Sequence, residues 1–240
     1  MKNYIEKIWQ AVFNLIFPVK CLGGCGRYDT WLCPQCSKRL ETTLQPECPI
    51  CRIPQFNNHV CSACRTQTPL SGLIVLTDYQ IPLIQKIVHT LKYQFVTDLG
   101  EIMGKMLARK IKSEFTGQIQ HIKPIIMPVP LHWRRKNERG FNQAKCLAVS
   151  IASVLDWPIK ADILIRKAYT RPQARLSRAE RLINLKSAFE LKRGVVLSGQ
   201  KVIIIDDVAT TTATLNECAK VLKLAGAKEV WGAVLARSQK

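Results

Sequence analysis

The chain has 240 residues, of which 36 are Lys or Arg and 17 are Asp or Glu, so its formal charge at pH 7 is +19. Hydrophobic residues make up 47% and charged residues 22% of the sequence, which is typical of a globular protein and excludes a disordered or collagen-like chain. A charge of this size favours binding to polyanions such as nucleic acid, phosphorylated metabolites or an anionic membrane surface.

The first 20 residues contain an apolar run that polar residues such as Glu6, Lys7 and Gln10 interrupt. The apolar positions recur at helical spacing, namely Ile5, Ile8, Trp9, Val12, Phe13, Ile16 and Phe17. This pattern predicts an amphipathic helix that packs on its own protein, with docking on a membrane surface as the alternative. Because no cleavage pattern follows and no apolar stretch reaches ~18 residues, we expect a cytoplasmic protein. Any association with the inner face of the cytoplasmic membrane would be peripheral.

Eight of the ten cysteines form four closely spaced pairs. The pairs are Cys21 with Cys25, Cys33 with Cys36, Cys48 with Cys51, and Cys61 with Cys64. Two thiolates at this spacing can hold one edge of a tetrahedron around Zn²⁺, and a second pair completes a structural site. Chain order predicts two zinc ions, one held by the first two pairs and one by the last two. The alternatives are His59 in place of one ligand, an interleaved pairing, and four disulfides in a secreted domain.

We expect two domains. Residues 1–70 would form a small N-terminal domain with the amphipathic helix and a double zinc ribbon, whose folding free energy comes largely from metal binding. The cysteines stop near Pro69–Gly72, where a larger domain of residues 71–240 begins.

Strand-like and helix-like patterns alternate after residue 70, which predicts an α/β domain with a mostly parallel sheet flanked by helices. The predicted strands are Leu73–Thr77, Ile125–Val129, Ile163–Arg166, Val202–Ile205 and Glu229–Ala236. The predicted helices are Leu83–Lys92, Leu99–Lys112, Asn142–Leu155 and Ala213–Ala225.

Two connecting segments are strongly basic. The first is predicted to be a loop and contains Arg134, Arg135, Lys136 and Arg139, flanked by Trp133 and Phe141. The second runs from Arg166 to Lys186 and includes Arg175, Arg178 and Arg181, with a helix predicted to begin near Ser177. Guanidinium groups bind two phosphate oxygens at once, and aromatic faces stack on unpaired bases. We therefore predict that these cations contact pyrophosphate or nucleic acid.

The segment 201–215 joins an apolar strand to two acids and several threonines. Ligands of open α/β sheets bind at the carboxyl ends of the strands, and helix N-termini offer N–H groups to anions. Carboxylates repel a phosphate but accept hydrogen bonds from hydroxyls, so the segment indicates a ribose phosphate as ligand. The alternative is an acidic cap on a surface helix.

This segment resembles the 5-phosphoribosyl-1-diphosphate (PRPP) loop of type I phosphoribosyltransferases, in which two acids are followed by x-x-Thr-Thr-Gly-x-Thr. The resemblance implies that PRPP binds together with Mg²⁺, that the two acids bind the ribose hydroxyls, and that the threonines hold the 5′-phosphate. The implied residues are Asp206, Asp207, Val208, Ala209, Thr210, Thr211, Thr212, Ala213 and Thr214. Thr212 stands where the pattern has glycine, and a β-branched residue disfavours positive φ. We therefore expect an altered loop geometry, and the sequence does not decide whether the domain is an active enzyme.

A second resemblance extends over nearly the whole chain. The cysteine pairs, Asp78-Tyr79, Pro128-Val-Pro130, Arg139-Gly-Phe-Asn-Gln143 and Asp206-Asp207-Val208 look like the ComF family of competence proteins. The family implies a type I phosphoribosyltransferase-like domain behind the zinc ribbons, a role in natural transformation or in the use of DNA as a nutrient, and DNA-uptake proteins as partners.

We predict a protein of DNA uptake that handles single-stranded DNA and binds PRPP or a related phosphoribosyl ligand. The first alternative is an active Mg-dependent phosphoribosyltransferase with an unknown acceptor. The second is a zinc-containing nucleic-acid module whose larger domain retains only its fold.

Overall fold

The protein is described by a computed structural model that covers residues 18–41, 44–55, 57–94, 96–115, 123–167 and 188–238. The strands are β1 (Gly72–Asp78), β2 (Ile125–Pro128), β3 (Leu164–Arg166), β4 (Phe189–Leu191), β5 (Lys201–Ala209) and β6 (Glu229–Arg237). The helices are α1 (Pro34–Ser37), α2 (Pro82–Tyr93), α3 (Thr97–Glu114), α4 (Trp133–Arg139), α5 (Gln143–Leu155) and α6 (Ala213–Leu224), with 3₁₀ turns at Lys38–Leu40 and Ser62–Cys64. The amphipathic helix predicted at the N-terminus lies outside the described residues.

Four strands form one parallel sheet in the order β1-β6-β5-β2. The β-branched run at the start of β5 is buried, as its lack of polar residues predicts for a central strand. Because side chains alternate along a strand, Ile203 and Ile205 belong to one hydrophobic cluster and Val202 and Ile204 to the other.

Helices cover both faces of the sheet. Apolar side chains of α2, α3 and α5 pack on the face that carries Ile203, and those of α6 pack on the opposite face. This arrangement confirms the predicted α/β fold with a parallel sheet between helices. Among the described helices, none is both long and apolar enough to span a membrane.

One sequence-based expectation about local structure was confirmed and another was wrong. The strand predicted at Ile163–Arg166 is present as β3, and it pairs antiparallel with β4 in a separate two-stranded sheet. The first basic segment is not a loop but contains α4, whose end at Gly140 has the left-handed conformation with φ 76°. With seven residues, α4 is too short to show a helical repeat of apolar positions, which is why the sequence did not reveal it.

The cysteine-rich segment packs on both hydrophobic clusters. Cys33 and Cys36 belong to the cluster on the α2 and α3 side, and Cys48 and Cys64 to the cluster on the α6 side. Backbone hydrogen bonds also join the segment to the edge strand β1, where the Leu73 N–H donates to the carbonyl of Asn58 at 3.0 Å. The domain boundary near residue 70 remains a prediction.

Candidate functional site

A cavity of 610 Å³ opens at the carboxyl ends of the four parallel strands. Its wall includes Tyr79 after β1, Leu131 after β2, Asp206 and Asp207 on β5, and Ser238 after β6. Ligands of open α/β sheets bind at this edge. The corner indicated by the sequence is therefore open to a ligand.

The two acids occupy this edge because β5 is longer than its neighbour. The last residue of β2 pairs with Ile205, so Asp206 and Asp207 extend beyond it. The Asp206 Oδ1 atom accepts a hydrogen bond from the Asp207 N–H at 2.9 Å, and the Asp207 Oδ1 atom accepts one from the Val208 N–H at 2.8 Å. The backbone thus fixes the direction of both carboxyl groups.

The second acid has a cationic partner on α2. The Lys92 ammonium lies 3.0 Å from the Asp207 Oδ2 atom, and its side chain is 26% exposed. Burial by itself lowers the pKa of Lys92, but the charge of Asp207 and the hydrogen bond to it leave that pKa raised. Lys92 therefore stays charged at neutral pH.

The first acid lies in a different electrostatic environment. Burial, followed by the negative charge of Asp207, raises the pKa of Asp206 to about 7. The charges of Lys92 and Arg166 act in the opposite direction and are outweighed. The edge of the sheet thus holds one stable ion pair and one carboxyl group that titrates near neutral pH.

The threonine-rich segment forms the turn between β5 and α6. Thr212 is 4% exposed and has φ 55°, a left-handed conformation that costs a β-branched residue about 1–2 kcal/mol. Thr212 thus adopts a positive φ, although a β-branched residue disfavours it. The Thr211 Oγ1 atom is buried and has no hydrogen-bond partner among the described residues. It can serve as a donor to an anion in the loop.

The cations of α4 divide between two faces of the helix. Arg135 and Arg139 line the cavity, whereas Trp133, Arg134 and Lys136 are exposed and do not line it. Trp133 is 60% exposed, and the Arg134 guanidinium lies 5.3 Å from its ring centroid. The other flanking aromatic residue, Phe141, is buried.

Several cavity residues were not found from the sequence. Lys92 was predicted only as the end of a helix, and no local pattern indicates its contact with β5, which depends on how α2 packs.

Arg166 was noted only within a basic segment, yet it lines the cavity and is buried beside Phe189. Burial, followed by the charge of Arg135, lowers its pKa to about 10. Tyr93 lines the mouth of the cavity, 5.6 Å from the Arg139 guanidinium.

Only Arg166 and Lys167 of the second basic segment belong to the described residues. Arg175, Arg178 and Arg181, and the helix predicted to begin near Ser177, lie outside the described residues.

The eight paired cysteines gather in two groups, in chain order. In each group the four Sγ atoms lie within 4.8 Å of one another, the groups being Cys21, Cys25, Cys33 and Cys36, and Cys48, Cys51, Cys61 and Cys64. The Sγ atoms of Cys25 and Cys33 lie 3.6 Å apart, and those of Cys51 and Cys61 lie 3.7 Å apart. A tetrahedral zinc ion with Zn–S bonds of about 2.3 Å needs sulfur atoms about 3.8 Å apart. Both groups can therefore bind a metal ion, and zinc fits their geometry.

The chemistry around the sulfur atoms also suits a cation. The Cys36 N–H donates to the Cys33 Sγ atom, which lowers the pKa of Cys33 to about 6, whereas burial raises the pKa of Cys36 to about 12. Four such thiols cannot all ionise without a positive ion between them. The disulfide alternative is wrong, because all ten cysteines are free. His59 joins neither group and packs on Trp231.

Comparison with known proteins agrees with this description. Residues 143–240 match the sequence family described as "Phosphoribosyl transferase domain". Competence protein F of Haemophilus influenzae is 30% identical over 219 residues, which cover 89% of this chain and 94% of that protein. DNA utilization protein YhgH of Escherichia coli is 31% identical over 206 residues, which cover 83% of this chain and 88% of that protein.

Among solved structures, glutamine PRPP amidotransferase from B. subtilis matches with a TM-score of 0.39 and 20% identity, over 61% of this chain and 30% of that chain. The similarity to competence protein F extends over almost the full length of both proteins. The chain therefore belongs to the ComF family of competence proteins and contains a type I phosphoribosyltransferase-like domain.

Proposed function

We propose that this chain binds PRPP, or a related phosphoribosyl ligand, in the strand-end cavity, and that it handles single-stranded DNA on the outer face of α4 during DNA uptake. The observation that carries the proposal is the arrangement around one open cavity of two fixed acids, two threonines at the turn into α6 (Thr210 and Thr214) and two arginines. Each of these groups matches a different part of a phosphoribosyl diphosphate.

The ribose hydroxyls would donate hydrogen bonds to the carboxylates of Asp206 and Asp207. The 5′-phosphate would accept hydrogen bonds from the Thr211 hydroxyl and from N–H groups at the start of α6, where the helix dipole also favours an anion. Arg135 and Arg139 would bind the diphosphate, because hydrogen bonds between guanidinium and phosphate are charge-assisted. Mg²⁺ prefers oxygen ligands such as these carboxylates and, when bound, would neutralise part of the charge of the diphosphate.

Single-stranded DNA suits the other face of α4. Trp133 offers an exposed ring on which a base can stack, and Arg134 and Lys136 lie beside it as contacts for the DNA backbone. Two relatives with related sequences are named for competence and DNA utilization. DNA-uptake proteins as partners, and a cytoplasmic location with at most peripheral membrane contact, belong to the same proposal.

The second candidate is an active phosphoribosyltransferase. It is favoured by the left-handed conformation of Thr212, because threonine at this position does not prevent the positive φ that glycine would allow. In such a reaction an acceptor atom bonds to the anomeric carbon of the ribose, and pyrophosphate leaves with the electron pair of the broken C–O bond. Release of pyrophosphate from PRPP in the presence of candidate acceptors would distinguish this enzyme from a binding protein.

Calorimetric titration of PRPP and Mg²⁺ into the zinc-loaded protein tests the proposed binding site. The native chain should bind, and the double variant Asp206→Asn, Asp207→Asn should not. A matched control is the double variant Asp156→Asn, Asp162→Asn, which changes two exposed acids that pair with surface lysines. Absence of binding by the native chain, or equal binding by both double variants, would contradict the proposal.

The two roles of α4 can be separated by neighbouring substitutions. Arg135→Ala should weaken PRPP binding because this side chain lines the cavity. Arg134→Ala should weaken binding of single-stranded DNA and leave the PRPP affinity within about twofold, because this exposed side chain does not line the cavity and its charge is screened by salt. Equal effects of the two substitutions on both ligands would show that the faces do not act separately.

A further inference from the structure

A chain of hydrogen bonds connects the cysteine-rich segment to the threonine turn. The Leu70 N–H donates to the Thr68 hydroxyl at 3.2 Å, and that hydroxyl donates to the Asn216 Oδ1 atom at 2.5 Å. The Asn216 amide donates to the Thr212 hydroxyl at 3.4 Å, which in turn donates to the carbonyl of Thr211 at 2.6 Å. Each group donates to the next in one direction, an arrangement in which the bonds strengthen one another.

The chain of bonds ends at the strained residue of the turn. Thr212 has φ 55° and is buried, and its side chain makes no capping bond to α6. Its hydroxyl is instead held between the Asn216 amide and the carbonyl of Thr211. Since a left-handed threonine is disfavoured by itself, surrounding contacts must fix it in this conformation.

The other end of the chain is anchored by the second cysteine group. Thr68 follows Cys64 by four positions and is 8% exposed. Cys64 and Leu70, on either side of Thr68, belong to the same hydrophobic cluster as Leu215 and Cys218 of α6. The position of the Thr68 hydroxyl is thus set by a segment that can bind a metal ion.

We propose that Thr68 and Asn216 are positioning residues that hold Thr212 in the left-handed conformation, so that the second cysteine group supports the phosphate-binding turn. The inference rests on the proposed binding of PRPP at this turn. Side chains outside the cavity thereby allow Thr212 to adopt a positive φ, which glycine adopts without support because it has no Cβ atom.

The test combines Thr68→Val, which removes the hydroxyl and keeps the branched shape, with Thr212→Gly. In the native background Thr68→Val should weaken PRPP binding about tenfold, because it leaves the partly buried Asn216 Oδ1 atom without its donor. In the Thr212→Gly background the same substitution should change the affinity less than about twofold, because glycine adopts positive φ without support. Thr66→Val is the matched control, since Thr66 is exposed.

Two further measurements distinguish loss of the hydrogen-bond chain from damage to the cysteine group. Thr68→Val should retain the metal content of the native protein, which shows that the cysteine group is intact. Asn216→Ala should reproduce the affinity loss through a different residue, and alanine is compatible with its helical position. Unchanged affinity in both Thr68→Val and Asn216→Ala, or an equal loss with Thr212 and with Gly at position 212, would overturn the inference.

If the proposed function is wrong, the native protein will bind no PRPP. The same variants can then be compared by their midpoints of urea unfolding. The inference then predicts that the shift caused by Thr68→Val becomes smaller in the Thr212→Gly background, whereas shifts that simply add would overturn it.

Discussion

Replacing Asp206 by asparagine should change how the stability of the protein depends on pH. In the folded protein, burial and the charge of Asp207 raise the pKa of Asp206 to about 7, whereas an aspartate in an unfolded chain has a pKa of about 3.9. A carboxyl group whose pKa is raised by folding contributes its full stabilisation only at pH values below its pKa in the unfolded chain. This stabilisation is lost as the pH rises through the pKa of the group in the folded protein.

The size of the effect follows from proton linkage. Between about pH 6 and about pH 8.5, the unfolded chain has already lost this proton, whereas the folded protein releases almost a full proton. The free energy of unfolding of the native protein should therefore fall by about 1.4 kcal/mol over this interval through Asp206 alone. Asp206→Asn cannot ionise, so its free energy of unfolding should fall by about 1.4 kcal/mol less than that of the native chain.

Urea unfolding of the metal-loaded native and variant proteins, at both pH values, measures this difference. Asp207→Asn provides the contrast, because it leaves the charge of Lys92 partly buried without its partner and should destabilise the protein at both pH values. The reasoning is refuted if the native protein and Asp206→Asn show the same pH dependence, since the Asp206 carboxyl would then titrate as it does in the unfolded chain.

Two further predictions concern metal and DNA. Metal analysis should find two zinc ions per native chain and one in either Cys33→Ser or Cys61→Ser; a single zinc ion in the native chain would show that one cysteine group does not bind metal. The affinity for single-stranded DNA should fall steeply with added salt, because binding releases counterions, and fluorescence titrations at several salt concentrations would measure it. Trp133→Ala should remove about 1–3 kcal/mol of stacking without changing the salt dependence, so a loss of salt dependence in this variant would argue against separate stacking and charge contributions.

Those features that depend on local pattern could be predicted from the sequence. The apolar run Val202–Ile205 is a central strand because four consecutive buried positions allow no solvent-facing side, and the acids that follow it therefore emerge at the ligand edge of the sheet. The cysteine groups follow from spacing, since pairs three or four positions apart can share one ion.

Features that depend on tertiary packing could not be predicted. The contact between Lys92 and Asp207 joins residues far apart in sequence, and only the tertiary fold brings the end of α2 close to the end of β5. Arg166 ends a strand that the sequence predicts, but no local pattern places its side chain in the wall of the cavity.

Thr212 illustrates a third kind of difference. Its residue type argues against positive φ, and that local preference is correct in itself. The turn forms nevertheless, because contacts from Asn216 and the burial of Thr212 can offset a cost of about 1–2 kcal/mol. The preference of a β-branched residue for negative φ is thus overridden in the turn where we propose that the phosphate binds.

The most direct measurement is a crystal structure of the zinc-loaded protein with PRPP and Mg²⁺. The account predicts electron density for the 5′-phosphate within the Thr210–Thr214 turn and for the ribose beside Asp206 and Asp207. Density for the ligand on the outer face of α4, or an empty cavity at a saturating concentration of PRPP, would contradict it.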